Sequence, residues 1–182
     1  LPWALQTYHR IVELKSPKLI LGRMHWFEGT FPAGEISVVP DEISIVEYEN
    51  FMQKDRPYRA SASSMVVDQA AFNSVSGWTK DIFPMDDHDL LIKLGYSGRT
   101  VQILKPPTTG YRVHPSNTVH HIDRLTSNLH KLLERERHAL YPGAGWRRLY
   151  RYGILGGLIL FALKNAVRHK FYGKALNPVV SG

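Results

Sequence analysis

Apolar positions recur with two different periods along the chain, and the period predicts the element. Residues 2–15 have apolar side chains at helical spacing behind an early proline, which predicts a helix. The short apolar runs at 18–27 and 63–67 predict strands. Asp68 follows directly and is a suitable N-cap for another helix. Segment 43–53, ISIVEYENFMQ, fits a helix or a strand, and its acidic residues favour a helix.

The pattern continues with an amphipathic helix predicted over 86–94. It ends before Gly95, which can take the left-handed cap conformation. RTVQILK at 99–105 predicts a strand, PPTTG at 106–110 a turn, and YRVH at 111–114 a second short strand. Strands that alternate with helices indicate an α/β fold.

A long helix is predicted from a cap at Ser116 or Asn117 to about residue 138. YPGAG follows it and is the clearest boundary in the chain. The predicted domains are therefore residues 1–142 and a basic, apolar helical tail at 143–182.

Composition and charge narrow the class of protein. An apolar fraction of 43% is that of a globular chain, and the absence of cysteine excludes disulfides and thiolate metal sites. The net charge of +7 is carried by the end of the chain. Residues 131–182 contain ten Lys/Arg and two Glu, a net +8, whereas residues 1–130 contain thirteen Lys/Arg and fourteen Asp/Glu, a net −1. This distribution argues against nucleic acid as a partner and indicates an anionic membrane surface.

The tail contains an uncharged run of eleven residues, Gly153–Leu163, which is shorter than the roughly 20 residues that a bilayer span needs. Basic residues flank both ends of the run: Arg147, Arg148, Arg151, Lys164, Arg168 and Lys170. Three interpretations stay open. The helix lies in the membrane interface with its basic groups on anionic head groups, packs on the domain as a core helix, or forms a short re-entrant span.

Three acids, Asp86, Asp87 and Asp89, lie in the first turn of the predicted helix over 86–94. Acids at this place are favoured by the free backbone N–H groups and by the helix dipole, which explains one or two of them. Neighbouring carboxylates also repel, which raises one pKa and gives a group suited to accept a proton. A divalent cation would relieve the same repulsion. Helix capping and a functional site both remain possible.

His114 follows a predicted strand, where side chains that bind a metal or a phosphate gather. A solvated loop histidine is the alternative. The sequence contains neither an H-E-x-x-H zinc motif nor a Gly-rich phosphate loop.

Several segments between 61 and 121 resemble, in order, the second half of the catalytic domain of family 2 glycosyltransferases. These are ASASSM, DQAAFNSV, VSGW, DDHDL, KLG, GRTV and YRVHPSN. The family has a small-residue segment before a strand, a V-G-G-F loop, a Glu-Asp-x-Asp-Leu helix start, an R-L-G helix end, a G-R-x-V strand and Y-R-x-H-x-x-N. The opening LPWALQTYHRI resembles the helix after the family's metal-binding Asp-x-Asp strand.

The resemblance implies a GT-A fold and inverting transfer of a sugar from a nucleotide-activated donor to a glycan or lipid-linked acceptor. The general base would come from the pair Asp86 and Asp87, with Asp87 favoured. His114 would help to hold a divalent cation, Mn or Mg, or the diphosphate. The expected substrate-binding residues are Ser63, Ser64, Trp78, Asp89 and Arg112.

Four departures from the family pattern accompany this resemblance. Asp86 replaces glutamate, Lys93 replaces the helix arginine, Val67-Asp68 replace an arginine pair, and Ser76 replaces the second loop glycine. The absence of Q-x-x-R-W argues against a processive synthase.

The family's nucleotide-binding half and its Asp-x-Asp metal ligands are not in these residues. The chain begins at Leu1 and is interpreted as the acceptor-side piece of a longer protein, with the cation held mainly by residues outside it. We expect the isolated chain to bind donor poorly. The expected location is the cytoplasm, at the inner face of the membrane. Two other classes stay open: a non-catalytic membrane- or partner-binding module, and a metal-dependent hydrolase that uses the Asp and His residues.

Overall fold

The computed structural model describes residues 1–31, 42–53, 61–114, 117, 122–143 and 145–168. It divides the chain into two compact units. The first, here the sheet unit, comprises residues 1–75 and 97–115; the second, the helical unit, comprises residues 76–96 and 116–182. The predicted α/β class, with a mixed sheet and flanking helices, is confirmed.

The sheet unit contains four strands: β1 (Leu19–Glu28), β2 (Ser44–Tyr48), β3 (Met65–Val67) and β4 (Thr100–Val113). Their order across the sheet is β2-β4-β1-β3. The two central strands, β1 and β4, are parallel, and each outer strand is antiparallel to its neighbour. Two helices belong to the same unit, α1 (Ala4–Lys15) and α2 (Gln69–Ser74).

The core of the sheet unit is apolar. Ile11 of α1 packs on three side chains of the central strands, Ile20, Val101 and Ile103. These positions correspond to the apolar runs in the sequence, because a strand that is covered on both faces has few polar positions. Burial of such side chains contributes roughly 1.5–3 kcal/mol each.

Gly22 of β1 lies at the closest approach between α1 and the sheet. The Tyr8 hydroxyl donates to Thr108 Oγ1 over 2.7 Å at this point. A Cβ atom on residue 22 would lie 2.3 Å from both oxygens. Glycine is therefore required for the hydroxyl pair to form across the strand.

The helical unit contains α3 (Asp86–Leu94), α4 (Ile122–Arg137) and α5 (Arg147–Arg168). Helix α3 is buried on every side from Asp89 to Leu94. Helix α4 buries Leu125, Leu129 and Leu132, which are spaced by three and four residues, as expected for one face of a helix.

Helix α5 packs on α4 through one face. Five of its buried residues lie at helical spacing: Arg151, Leu155, Leu158, Ala162 and Ala166. Arg151, one of the basic residues that the interfacial interpretation places on head groups, is instead buried, with a side chain that is 1% exposed. Within the part of the chain that the structure describes, no helix has the length and apolarity to cross a bilayer.

Several predicted elements are confirmed, including α1, β1 and the helix 86–94. The N-cap at Asp68 is also confirmed, because its carboxylate accepts the Ala71 backbone N–H over 2.9 Å. The long predicted helix is present as Ile122–Arg137. Its predicted cap is Ser116 or Asn117; Ser116 and residues 118–121, which lead from Asn117 to the helix, lie outside the described residues, as does the tail beyond 168.

Three predictions on local structure are wrong. Segment 43–53 does not form a helix; it forms strand β2 and a 3-10 turn at Phe51–Gln53. The segment 106–110 is not a turn, because β4 runs through it without interruption. Gly95 ends α3 with a φ of 5°, which is not the left-handed conformation.

The division into units does not follow the predicted boundary at 143. Helix α5 belongs to the same compact unit as α3 and α4. The separate functional role assigned to residues 143–182 stays a prediction.

Candidate functional site

The first turn of α3 carries the three predicted acids and begins at Asp86. Met85 precedes it, and no side chain caps the helix. Asp87 partly compensates for the missing cap, because its Oδ1 accepts the backbone N–H of His88 in this turn. The acids do not share one environment, however.

Asp89 is fully buried and is bound entirely by other side chains of the helical unit. The Thr79 hydroxyl donates to its Oδ2 over 2.5 Å, and the Tyr141 hydroxyl donates to Oδ1 over 2.7 Å. Two cations accompany them, Arg135 with Nε 3.0 Å from Oδ1 and Lys93 with Nζ 3.3 Å from Oδ2. Burial, and then the charge of Asp89, raise the pKa of Tyr141, so this phenol stays a hydrogen-bond donor.

Lys93 connects α3 to the preceding loop. Its ammonium group donates to the Gly77 carbonyl oxygen and, over 3.1 Å, to the Thr79 hydroxyl. Asp89 and Lys93 are four residues apart on the helix, a spacing that places them on the same face. This pairing was not among the sequence predictions, although the spacing alone indicates it.

Asp86 and Asp87 are only partly buried. Asp87 Oδ1 accepts the backbone N–H of His88 and also lies 2.7 Å from the imidazole Nδ1 of His88. Burial raises the pKa of Asp86, and the neighbouring charge of Asp87 raises it further. The direction agrees with the expectation from carboxylate repulsion, but burial is the larger cause.

The remaining predicted residue of the helical unit is Trp78, whose side chain is exposed. It lies in the loop between Gly77 and Thr79, the two residues that bind Lys93. Lys93 of α3 therefore binds this loop through the residues immediately before and after Trp78.

The other predicted residues belong to the sheet unit. Ser63 is exposed and Ser64 is buried, with the Ser64 hydroxyl donating to the Ser61 carbonyl oxygen over 3.1 Å. Arg112 is exposed near the end of β4, and its guanidinium lies 5.7 Å from the centre of the Phe27 ring. His114 directly follows β4 and is exposed.

The structure thus groups Trp78, Asp86, Asp87 and Asp89 in the helical unit, and Ser63, Ser64, Arg112 and His114 in the sheet unit. The substrate-binding roles, the role of Asp87 as general base and the contact of His114 with a cation or the diphosphate stay predictions. Among the described residues, no three His, Asp or Glu side chains form a group that could hold a metal ion.

Sequence reasoning missed a buried ion pair, Glu136 with Arg151. Glu136 Oε2 accepts from Arg151 Nε over 2.5 Å, and Oε1 accepts from Nη2 over 3.2 Å. Arg151 also donates to the carbonyl oxygens of Pro142 and Gly143 over 2.6 Å. The signal was available: Glu136 lies four residues after Leu132, in register with the apolar face of α4.

No protein-family model matches this chain, and no curated protein matches it closely enough to be counted as a relative.

Proposed function

We propose that residues 1–142 form the acceptor-side half of an inverting glycosyltransferase with a GT-A fold. The enzyme takes a nucleotide-activated sugar as donor and a glycan or lipid-linked hydroxyl as acceptor. The resemblance of the ordered segments between 61 and 121 supports this proposal. The parallel pairing of the two central strands within a mixed sheet is compatible with it.

One observation carries the proposal: the three acids of a single helical turn have different environments. Asp89 is buried and bound by four side chains, which is the arrangement of a structural residue. Asp86 and Asp87 keep partial access to solvent on the same turn. Helix capping explains why acids occur in a first turn. It does not explain why Asp86 and Asp87 stay partly exposed while the third carboxylate, Asp89, is buried and bound by other side chains.

The pair suits a general base because a carboxylate with a raised pKa accepts a proton more readily. Asp86 has that raised pKa, and Asp87 is oriented by its contact with His88. In the proposed step the base removes the proton of the acceptor hydroxyl. The oxygen attacks the anomeric carbon from the face opposite the diphosphate, and the bond to the diphosphate breaks with its electron pair.

A divalent cation, Mn or Mg, remains part of the proposal as a group held mainly by residues outside this chain. It would neutralise the leaving diphosphate. His114 stays a candidate for contact with the cation or the diphosphate.

The decisive experiment measures sugar transfer by a full-length protein that carries these residues, with uridine- and guanosine-diphosphate sugars as donors. We expect Asp87→Asn and Asp86→Asn each to lower kcat/KM, with a loss of about 100-fold or more for the residue that is the base. Asp123→Asn is the matched control, because Asp123 is an exposed acid in the first turn of another helix, α4. Unchanged activity in both Asp86 and Asp87 variants would assign the cluster to helix capping and favour a non-catalytic module.

Titration of the isolated chain with nucleotide sugars is a second test. We expect weak or no binding, and micromolar affinity would refute the assignment to an acceptor-side half. Titration with Mn and Mg in the same buffer tests the hydrolase alternative. Metal binding by the isolated chain would favour a hydrolase over a glycosyltransferase half.

A further inference from the structure

Helix α5 has one buried face and one face that is exposed among the described residues. The buried face packs on α4 and begins with Arg151. On the opposite side, Leu149, Leu160 and Val167 are 72%, 58% and 51% exposed. Leu160 and Val167 follow Leu149 by about three and five whole helical turns, so the three side chains lie in one line about 27 Å long. We name these three residues the apolar strip.

The strip is open along its length. Gly153 and Gly156 lie between Leu149 and Leu160, and a Cβ atom built on either glycine would have nothing within 4 Å. Aromatic residues extend the exposed apolar surface on both sides: Trp146, Tyr150, Tyr152 and Phe161. An exposed apolar surface of this length indicates a partner.

The charges around the strip indicate the chemistry of that partner. From residue 138 to Gly182 the sequence contains no acid and seven Lys/Arg. Arg151 is buried on Glu136, and Arg148 binds the same carboxylate but stays 38% exposed. Arg147 lies over the Tyr96 ring, 4.1 Å from its centre. Lys164 is exposed beside the strip, one turn after Leu160. Within residues 145–168, which the structure describes, the outward side of the helix is therefore apolar, carries the cation Lys164 and contains no acid.

A second copy of the chain fits this surface poorly. In a two-fold symmetric contact through the strip, Lys164 would face a second copy of a segment that contains no acid, so its charge would meet no opposite charge from that segment. A bilayer that contains anionic lipids accepts both properties of the surface, because leucine and valine side chains enter the acyl boundary while the basic groups meet phosphates.

We propose that the outward face of α5 binds the surface of an anionic phospholipid bilayer, with the helix axis parallel to the membrane plane. The apolar strip enters the interface, and Lys164 contacts lipid phosphate. Trp146, at the N-terminal end of α5, lies at the level of the head groups, where indole rings are favoured. This inference does not depend on the proposed sugar transfer.

The test is flotation of the intact chain with vesicles of phosphatidylcholine, alone or with about one-third phosphatidylglycerol. We expect binding to the anionic vesicles only, with less binding at raised salt. The strip variant Leu149→Ser/Leu160→Ser/Val167→Ser should bind at least about tenfold more weakly. Removal of the whole helix is a poorer test, because it would uncover Glu136 and the apolar face of α4.

The chain offers a matched control in helix α1. Leu5, Val12 and Leu14 are 82%, 45% and 68% exposed, so Leu5→Ser/Val12→Ser/Leu14→Ser makes the same three chemical changes elsewhere. We expect this control variant to bind like the wild type. Equal binding by the strip and control variants overturns the proposal, as does failure of the wild type to bind anionic vesicles.

Quenching of tryptophan fluorescence by brominated lipids keeps the test decisive if the strip variant unfolds. Trp146 should be quenched in the wild type, and Trp146→Phe should abolish most of the quenching while vesicle binding persists. Sedimentation of the wild type without lipid tests the alternative that a second copy of the chain covers the apolar strip. Self-association that the strip variant loses, without vesicle binding, would assign the surface to a second copy and overturn the proposal.

Discussion

The two units of this protein differ in what they bury. Among the described residues of the sheet unit, the fully buried polar side chains are neutral hydroxyls: Thr7, Ser64, Thr100 and Thr108. In the helical unit, four charged side chains are buried among the residues that the structure describes: Asp89, Lys93, Glu136 and Arg151. The sheet unit is therefore held mainly by apolar packing, whereas the helical unit also depends on buried charges that are held by ion pairs and by hydrogen bonds.

The difference matters because the two kinds of core respond differently to change. An apolar core loses free energy in proportion to the volume removed. A buried ion pair adds little to the free energy of unfolding, but loss of one partner leaves the other as a buried charge with neither a counter-ion nor water around it. We therefore expect the helical unit to be more sensitive to single substitutions and less sensitive to paired ones.

The largest expected effect is that of Glu136→Leu, which leaves the buried guanidinium of Arg151 without its carboxylate. We expect the free energy of unfolding to fall by about 3–5 kcal/mol, measured by urea denaturation followed by circular dichroism. The control is Glu134→Leu, since Glu134 lies on the same helix in exposed pairs with Arg137 and His138.

The paired change Glu136→Leu/Arg151→Met sharpens the same point. We expect it to recover most of the loss, because an apolar pair of similar volume removes both buried charges. A double variant as unstable as Glu136→Leu would mean that packing, and not charge, determines the loss.

A smaller effect is expected from Asp89→Asn, which keeps the shape of the side chain but removes the charge that faces Lys93 and Arg135. The free energy of unfolding should fall by about 1.5–3 kcal/mol. Asp87→Asn, two residues earlier in the same turn, should stay within about 0.5 kcal/mol of the wild type. Equal losses would contradict the different roles assigned to these acids.

In the sheet unit, Ile20→Val removes one methylene group from the apolar core. We expect a loss of about 0.5–1.5 kcal/mol in the same urea experiment. Val12→Ala, at an exposed position of α1, is the control and should change little. A loss from Ile20→Val that matches the loss from Glu136→Leu would remove the contrast between the units.

The smallest effect is a pH dependence at Asp86. Its folded-state pKa is raised, so the folded protein binds the proton more tightly than the unfolded chain, in which the pKa is about 3.9. The stability that this provides is complete below pH 4 and is lost as the pH rises through the folded-state pKa. Asp86→Asn should therefore be slightly more stable than the wild type at pH 7, with no such advantage near pH 3.

Asp68→Asn provides a control of opposite sign. The backbone N–H of Ala71 and then the Lys18 ammonium group lower the pKa of Asp68. Its contribution to stability is present above the unfolded pKa and is lost as the pH falls through the folded-state pKa. This variant should be less stable than the wild type at pH 7, and the difference should diminish in acid. Urea denaturation between pH 3 and pH 7 measures both trends.

The elements that the sequence predicts well are those whose side chains obey one period. Helix α1 and strand β1 needed no information from elsewhere in the chain. The prediction for the segment that forms β2 was wrong because its acidic residues favoured a helix. In the structure Glu47 is paired with Lys15 over 2.6 Å, a partner from α1 that local sequence does not reveal.

The segment 106–110 failed for a similar reason. Its prolines and glycine are typical of a turn, but β1 pairs with it across the sheet, with Arg23 opposite Pro107 and His25 opposite Gly110. Shifts of register on both sides of Arg23 let the strands stay paired past the prolines. Tertiary pairing thus decided a structure that local preference opposed.

At the candidate site, the sequence identified the acidic turn but not how its members differ. The distinction depends on Tyr141 and Arg135, which come from distant parts of the chain to bind Asp89. Spacing alone could have paired Asp89 with Lys93, and it could have placed Glu136 on the buried face of α4.

The Arg151 side chain also determines how α5 is rotated about its own axis. A helix turns by about 100° per residue, so a shift of one position would carry the guanidinium away from Glu136 and replace it with a tyrosine, Tyr150 or Tyr152. An all-leucine face could roll or slide with little change in energy, but a single buried cation permits one orientation. The outward side of the helix is consequently chosen by a contact on its inward side, nearly a full helix diameter away.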